Sequence, residues 1–172
     1  APPGEVELFD GRTTRGWKSI TGDPVPDRCW RVDEGCLHAW KPTTGAFQDI
    51  RTEAEFEYFE ATFEWKLAPG GNSGFKYSIQ RTDTWKAKDD PEGRTGLHAR
   101  ARGLEFQLGD EATPDVKRGL LYSAGSLYGI YAPAKPAPVR PAEFNRGRVV
   151  YTPTRLEHWI NGELIVRCDP SS

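Results

Sequence analysis

The sequence has no excess of basic residues and no long apolar run. Its 172 residues include 23 Lys and Arg against 25 Asp and Glu, which gives a formal net charge of -2. It therefore lacks the positive charge that drives binding to phosphate backbones. No segment approaches the roughly 20 consecutive apolar residues that a membrane-spanning helix needs. We therefore expect neither binding to nucleic acid nor a membrane-spanning segment.

Methionine is absent, even at position 1, and cysteine is scarce. The missing methionine leads us to expect a processed chain from which any signal peptide has already been removed. If Glu34-Gly35 forms a hairpin turn that places Asp33 opposite Cys36, Cys29 lies four residues, roughly 13 Å, further along the strand. That separation argues against a disulfide between Cys29 and Cys36. A bridge from Cys168 to either of them stays open, as do three unpaired thiols.

Glycine and proline are abundant, with 18 and 14 residues, and they leave few windows long enough for a helix. Residues 59–67 alternate large apolar with polar side chains, and residues 75–79 and 104–108 repeat this pattern of a half-buried strand. The dipeptide Asn161-Gly162 is a strong hairpin signal. About ten to twelve short strands joined by turns predict an all-β protein, and a jelly-roll sandwich of two antiparallel sheets is the best architecture.

The length predicts a single domain that spans residues 1–172, because no repeat or change of composition marks a second one. Residues 1–5 are expected to form a loose N-terminal arm. Residues 81–103 carry many mixed charges and show no strand period. We predict a long loop there, either a rim over a site or a tolerated insertion.

Polar residues that are useful in chemistry share one face of a predicted strand. Glu105 and Gln107 lie two residues apart, and a bulge at Gly109 would turn Asp110 toward the same side. The spacing is similar to the E-x-D-x-x-E strand of the jelly-roll β-glucanases, in which two glutamates act as nucleophile and acid. Gln107 cannot ionise, however, so the carboxylate pattern of ordinary retaining hydrolysis is incomplete. A solvated strand face without a function is the structural alternative.

Seven motifs along the chain carry a resemblance to a known family. They are LFDG at 8–11, WRVDEGCL at 30–37, GNSGFKY at 71–77, GLEFQ at 103–107, GSLY at 125–128, EFN at 143–145 and EHWING at 157–162. As an ordered set, they resemble the 3-keto-disaccharide hydrolase domain family. The resemblance implies a concanavalin A-like β-sandwich, export to the periplasm or the cell exterior, and action on 3-keto-glycosides. The chain departs from the family pattern at Arg155, where a histidine is expected. Whether the protein binds a divalent metal therefore stays open, and the sequence defines no ligand set for one.

The implied chemistry begins at the ketone, which acidifies the proton on C2 of the sugar. A base removes that proton, the C1 substituent leaves, and water adds to the unsaturated product. We assign Glu105 as the base, Lys76 as the cation that stabilises the enolate, and His158 as the proton-transfer group. The residues expected to bind the small oxidised sugar or oligosaccharide are Gln107, Asn72, Ser73, Asp110, Tyr128 and Trp85.

Each of these assignments has a structural alternative. Lys76 could pair with Glu105 across the sheet, and His158 could be a surface residue without a role. Asn72 and Ser73 could simply shape a turn, and Trp85 could serve packing. Two other classes of function also stay open: a non-catalytic carbohydrate-binding module, and a glucanase-like glycosidase that acts on unoxidised sugar.

Overall fold

Antiparallel β-strands make up nearly all the regular structure in the computed structural model, which describes residues 3–43, 45–86 and 97–172. The strands are β1 (Trp17–Ser19), β2 (Trp30–Asp33), β3 (Cys36–Ala39), β4 (Ile50–Thr52), β5 (Phe59–Trp65), β6 (Asn72–Lys86), β7 (Leu97–Gly109), β8 (Asn145–Tyr151), β9 (Leu156–Ile160) and β10 (Glu163–Cys168). Two short 3₁₀ helices, Pro114–Arg118 and Leu120–Tyr122, are the only helical segments in these ranges. None of the described helices is long and apolar enough to cross a membrane. The all-β prediction is confirmed.

The chain divides into two compact units. Unit 1 contains Ala1–Glu55 and Gln80–Arg102, and unit 2 contains Phe56–Ile79 and Gly103–Ser172. Strands β6 and β7 therefore each contribute one part to unit 1 and one part to unit 2. That residues 1–172 form one sandwich domain stays a prediction.

Unit 2 contains two antiparallel sheets. The first has the strand order β10-β9-β8-β5, with Phe59 opposite Tyr151 at one end of the β5–β8 pair. The second contains the unit 2 parts of the paired strands β6 and β7. Leu127 extends this second sheet, because it bridges Phe106 of β7 on one side and Tyr131 on the other.

The core of unit 2 lies between its two sheets. Phe63 of β5 stacks on Phe75 of β6 with ring centroids 4.7 Å apart and planes inclined by 4°. Phe106 of β7 is fully buried and contacts the edge of the Phe63 ring. Because successive residues of a strand point to opposite faces, the residues between these aromatics on β6 and β7 point away from the core.

Both hairpin turns predicted from the sequence are present. β2 pairs with β3 in the expected register, with Asp33 opposite Cys36. The backbone φ is positive at both residues of Glu34-Gly35 and at both residues of Asn161-Gly162, as two-residue hairpin turns of type I′ require. All three cysteines are free, in line with the argument against a Cys29–Cys36 disulfide.

The prediction of a long loop over residues 81–103 is wrong for residues 81–86 and 97–103, which belong to strands β6 and β7. Residues 87–96 lie outside the described part of the chain. Asp83 shows why no strand signal is visible in this segment: its carboxylate lies 3.0 Å from Arg81 Nε and 2.7 Å from Arg102 Nε. Strands built from such exposed charged pairs have no hydrophobic alternation to detect.

Candidate functional site

The outer face of the second sheet in unit 2 is lined by polar residues. On β6, Asn72, Gly74 and Lys76 alternate with the aromatic core residues. On β7, Glu105 and Gln107 alternate with core residues in the same way. All five therefore share the face that points away from the core. The strands that the sequence analysis selected do place Lys76 and Glu105 on one surface.

Gln107 forms a rigid part of this surface. Its side-chain Nε2 donates a hydrogen bond to Asn72 Oδ1 at 3.0 Å, and its main-chain N–H donates to the carbonyl of Ser126 at 3.2 Å. Only 1% of its surface is exposed. Asn72 is exposed beside it, so buried Gln107 holds the Asn72 amide in place, and Asn72 is the amide that a ligand can reach.

Glu105 lies over Gly74 on the neighbouring strand. A Cβ atom on residue 74 would sit 2.8 Å from Glu105 Cδ and 2.9 Å from Glu105 Cγ, so only glycine leaves room for the carboxylate there. Lys76 follows Gly74 by two residues on the same face, which makes it a diagonal neighbour of Glu105, at about 7–8 Å between positions and within reach of long side chains. Both side chains are half-buried.

Tyr128 occupies the other side of Glu105. Its main-chain N–H donates to the Glu105 carbonyl at 3.0 Å, so the two residues are neighbours in adjacent strand segments. Its hydroxyl donates to Asp115 Oδ2 at 2.6 Å and accepts from Arg118 Nη1 at 3.3 Å. The hydrogen bond to Asp115 is the main cause that raises the pKa of Tyr128. The edge-to-face contact with the Tyr122 ring, 5.2 Å between centroids, further restrains the Tyr128 ring.

His158 is not on this surface. It is fully buried, with Nδ1 2.9 Å from the Gly125 carbonyl and Nε2 2.7 Å from the Tyr77 hydroxyl. Burial lowers the pKa of His158 to about 4, so the ring is neutral at neutral pH. A buried neutral imidazole with both nitrogens hydrogen-bonded cannot reach a substrate, and we do not retain His158 as the proton-transfer group. In the sequence, the histidine itself suggested proton transfer. Its position on a largely apolar strand was the signal that it is buried.

Asp110 also has a structural task. Its carboxylate accepts hydrogen bonds from the main-chain N–H groups of Gly70, at 3.0 Å, and Ala112, at 2.8 Å. Its own N–H donates to Thr113 Oγ1 at 2.8 Å, and that hydroxyl donates to the Gly71 carbonyl at 2.7 Å. These bonds tie two loops of unit 2 together and bury Asp110. We therefore do not retain it as a sugar-binding residue.

The two remaining candidates lie elsewhere. Ser73 is exposed, but strand alternation places it on the opposite face of β6 from Asn72. Trp85 belongs to unit 1 and is 45% exposed, and its ring stacks on His98 with centroids 5.6 Å apart.

No motif or strand pattern in the sequence points to Asp115, Arg118 or Tyr122. Asp115 and Arg118 lie in a 3₁₀ helix of five residues, where no strand or helix period marks their direction. In the described residues, no group of three or more His, Cys, Asp or Glu side chains is arranged to hold a metal ion. The described residues therefore define no ligand set for a divalent metal.

The fold and this surface define a β-sandwich protein with one carboxylate, one ammonium group, one amide and one phenol accessible on an outer sheet face. The family model described as the 3-keto-alpha-glucoside-1,2-lyase-like domain matches residues 4–172. The chain belongs to this family. The resemblance seen in the sequence motifs is confirmed.

Relatives with names or solved structures agree with this assignment. A Bacteroides thetaiotaomicron protein named 3-keto-disaccharide hydrolase is 31% identical in an alignment of 172 positions, which covers 95% of this chain and 58% of that protein. The chain thus spans little more than half of this relative. A crystal structure from Parabacteroides distasonis, provisionally described as a glycosyl hydrolase, matches with a TM-score of 0.70 and 27% identity over 96% of this chain and 71% of the other. A second structure from the same organism, at 22% identity, has a TM-score of 0.59, covers 89% of this chain and 72% of its own, and supports the fold alone.

Proposed function

We propose that this chain cleaves the glycosidic bond of 3-keto-glycosides by elimination followed by hydration. Membership of the 3-keto-alpha-glucoside-1,2-lyase-like family supports this class of reaction. The name of the 31% identical relative supports an oxidised disaccharide as the kind of substrate. We expect such an enzyme to act outside the cytoplasm, as the family resemblance implies.

The position of Glu105 carries the proposal. Its carboxylate lies over Gly74, and a side chain at position 74 would overlap it. The residue two positions further along the same face is Gln107, an amide. Ordinary retaining hydrolysis needs a pair of carboxyl groups about 5–5.5 Å apart, whereas removal of the C2 proton needs only one base. The β7 face therefore suits elimination better than it suits hydrolysis by two carboxylates.

In the first step, Glu105 accepts the C2 proton, and the C2–H electron pair delocalises onto the C3 oxygen as an enolate. Lys76 carries a positive charge on the same face and stabilises that oxygen. The enolate then collapses to form the C1=C2 bond, the C1–O bond breaks, and the leaving oxygen takes up the proton that Glu105 holds. Water next adds its oxygen to C1, and a proton returns to C2. The sum is hydrolysis.

The other groups of the surface bind the sugar. Asn72, held by the buried Gln107, offers an amide group on one side of Glu105, and Tyr128 offers an aromatic ring and a phenol on the other. Amide and phenol groups are suited to the hydroxyls of a pyranose, and an aromatic ring is suited to its apolar face.

The experiment that tests this function is turnover of 3-keto-trehalose and an aryl 3-keto-glucoside by the purified chain, with and without added divalent metal. We expect cleavage by the wild-type protein and a loss of at least about 100-fold in kcat for Glu105→Gln, because the amide cannot accept the proton. Glu64→Gln, on the exposed face of β5, is the matched control and is expected to keep full activity.

Two results would contradict the proposal. Measurable glycan binding without turnover, unaffected by Glu105→Gln, would indicate a carbohydrate-binding module. Release of reducing ends from unoxidised β-glucans would indicate a glycosidase of the glucanase type.

A further inference from the structure

We propose that Asp115 positions the Tyr128 hydroxyl as a hydrogen-bond acceptor for one hydroxyl group of the sugar, and thereby directs the ketone away from Tyr128. The inference rests on the proposed function. It assigns a role to the 3₁₀ helix Pro114–Arg118, in which Asp115 and Arg118 both lie.

The direction of the hydrogen bonds follows from the charges around the phenol oxygen. An ionised carboxylate can only accept, so the single proton of Tyr128 points at Asp115 Oδ2, 2.6 Å away. A guanidinium can only donate, and Arg118 Nη1 lies 3.3 Å from the same oxygen. With its proton committed to Asp115, the Tyr128 oxygen offers lone-pair electrons to any further partner.

Neighbouring contacts hold this arrangement in place. The Arg118 guanidinium lies 3.8 Å from the centre of the Tyr122 ring, and the Tyr122 ring contacts the Tyr128 ring at 5.2 Å. The Asp115 side chain is one-quarter exposed, so its charge is only partly screened by water. The phenol is thus held by two charged groups and one ring.

Tyr128 is also close enough to Glu105 to touch the same sugar. The two residues are direct cross-strand neighbours, joined by the main-chain hydrogen bond of 3.0 Å, and such neighbours have Cβ atoms about 4.5–5.5 Å apart. A sugar whose C2 hydrogen faces Glu105 can therefore also reach Tyr128.

This geometry predicts which sugar groups can lie there. A hydroxyl can donate to the Tyr128 oxygen, whereas a ketone oxygen has no proton to give. At the Tyr128 oxygen itself, to which Arg118 already donates, the C3 ketone finds no proton and is disfavoured. A donor such as Lys76, on the β6 side of Glu105, suits the ketone. Asp115 acts through Tyr128 and is a positioning residue.

The test is calorimetric binding of an aryl 3-keto-glucoside and its 2-, 4- and 6-deoxy and deoxyfluoro analogues to the Glu105→Gln protein. One deoxy analogue should bind at least about 10-fold more weakly, because a site built around a hydroxyl rejects the compound that lacks it. The fluoro analogue at that position should lose as much, since fluorine cannot donate. Adding Tyr128→Phe should abolish the discrimination, and adding the exposed control Tyr58→Phe should leave it unchanged.

Asp115 has its own pair of variants. Asp115→Ala frees the phenol proton, so the fluoro analogue should bind better than the deoxy analogue, which reverses the donor requirement. Asp115→Glu keeps an anionic acceptor and should restore the original pattern.

Four results would overturn the inference. The first two are absence of binding and equal affinity across the series. The other two are loss of discrimination in Tyr58→Phe and a pattern that neither Tyr128→Phe nor Asp115→Ala changes. Turnover by the wild-type protein reports separately on the proposed function. Cleavage without hydroxyl discrimination at Tyr128 contradicts the inference alone, whereas discrimination without cleavage contradicts the proposed function alone.

Discussion

At the scale of single residues, His158 is a histidine whose surroundings make it part of the core. The Gly125 carbonyl can only accept, so Nδ1 carries the proton and donates to it, while Nε2 accepts from the Tyr77 hydroxyl. The ring of Phe106 lies 4.5 Å from the imidazole centroid. Burial in these surroundings lowers the pKa of His158 and favours the neutral ring, against the opposing effect of the Gly125 carbonyl.

This burial predicts a pH-dependent stability. The pKa of His158 falls from 6.5 in the unfolded chain to about 4 in the folded one, so between these values the unfolded chain binds more protons. The free energy of unfolding should therefore decrease as the pH falls from 6.5 to 4, by about 3 kcal/mol from this residue. Urea unfolding across this range should show a shallower pH slope for His158→Gln than for the wild type.

His38→Gln, at an exposed position, serves as the control and should leave that slope unchanged. An identical slope in the wild type and His158→Gln would show that His158 does not cause the effect.

Gly74 gives a second prediction at the residue scale. In Gly74→Ala, the new Cβ would overlap the Glu105 side chain, with contacts of 2.8 Å to Cδ and 2.9 Å to Cγ. The carboxylate can move outward, because these atoms belong to the flexible end of a side chain. We expect kcat to fall at least about 10-fold while the free energy of unfolding changes by less than about 2 kcal/mol.

Ser73→Ala, on the opposite face of the same strand, should leave kcat unchanged in that experiment. Full activity in Gly74→Ala would mean that the observed position of Glu105 is not needed for the reaction.

At the scale of elements, two loops of unit 2 are joined by Asp110, which follows β7. The carboxylate accepts hydrogen bonds from the main-chain N–H groups of Gly70 and Ala112, and the Thr113 hydroxyl donates to the Gly71 carbonyl. The Gly70 turn leads directly into β6, so this joint holds the ends of the two strands that carry Lys76 and Glu105.

We predict that Asp110→Ala destabilises unit 2 by about 2 kcal/mol, because two part-buried main-chain N–H groups lose the carboxylate that accepts their hydrogen bonds. Glu111→Ala, exposed and adjacent in sequence, should change stability by less than about 0.5 kcal/mol. Urea denaturation of both variants measures the difference. Equal stabilities would show that Asp110 does not hold the joint.

Elements with a buried face could be predicted from the sequence, and elements without one could not. Alternation identified β5, and the dipeptides Glu34-Gly35 and Asn161-Gly162 identified two hairpins. The parts of β6 and β7 that belong to unit 1 were missed. Arg81 and Arg102 both pair with Asp83 there, and such charged residues show no apolar period.

The candidate surface was partly predictable for the same reason. Strand alternation is enough to place Glu105 with Gln107, and Asn72 with Lys76. Burial of His158 depends on contacts with Tyr77 and Gly125, which are distant in sequence, and the pairing of Tyr128 with Asp115 depends on the path of a 3₁₀ helix.

At the scale of the whole molecule, the family motifs occur in both units, whereas the candidate surface is built from unit 2 alone. Unit 2 supplies a rigid sheet with a core on one face and Glu105 on the other. Rigid strands hold catalytic groups in place better than loops do. The proposed reaction needs such an arrangement, because the base must meet one particular C–H bond.

The role of Glu105 as the base is tested most directly by cleavage of an aryl 3-keto-glucoside by the wild-type protein in D₂O. The hexose product is then analysed for deuterium at C2. Elimination and hydration remove the original C2 hydrogen and return one from solvent to the carbon. We therefore expect deuterium at C2 in the product, and loss of both cleavage and exchange in Glu105→Gln. Cleavage that leaves the C2 hydrogen in place would mean that the bond is hydrolysed directly, and would contradict the role given to Glu105.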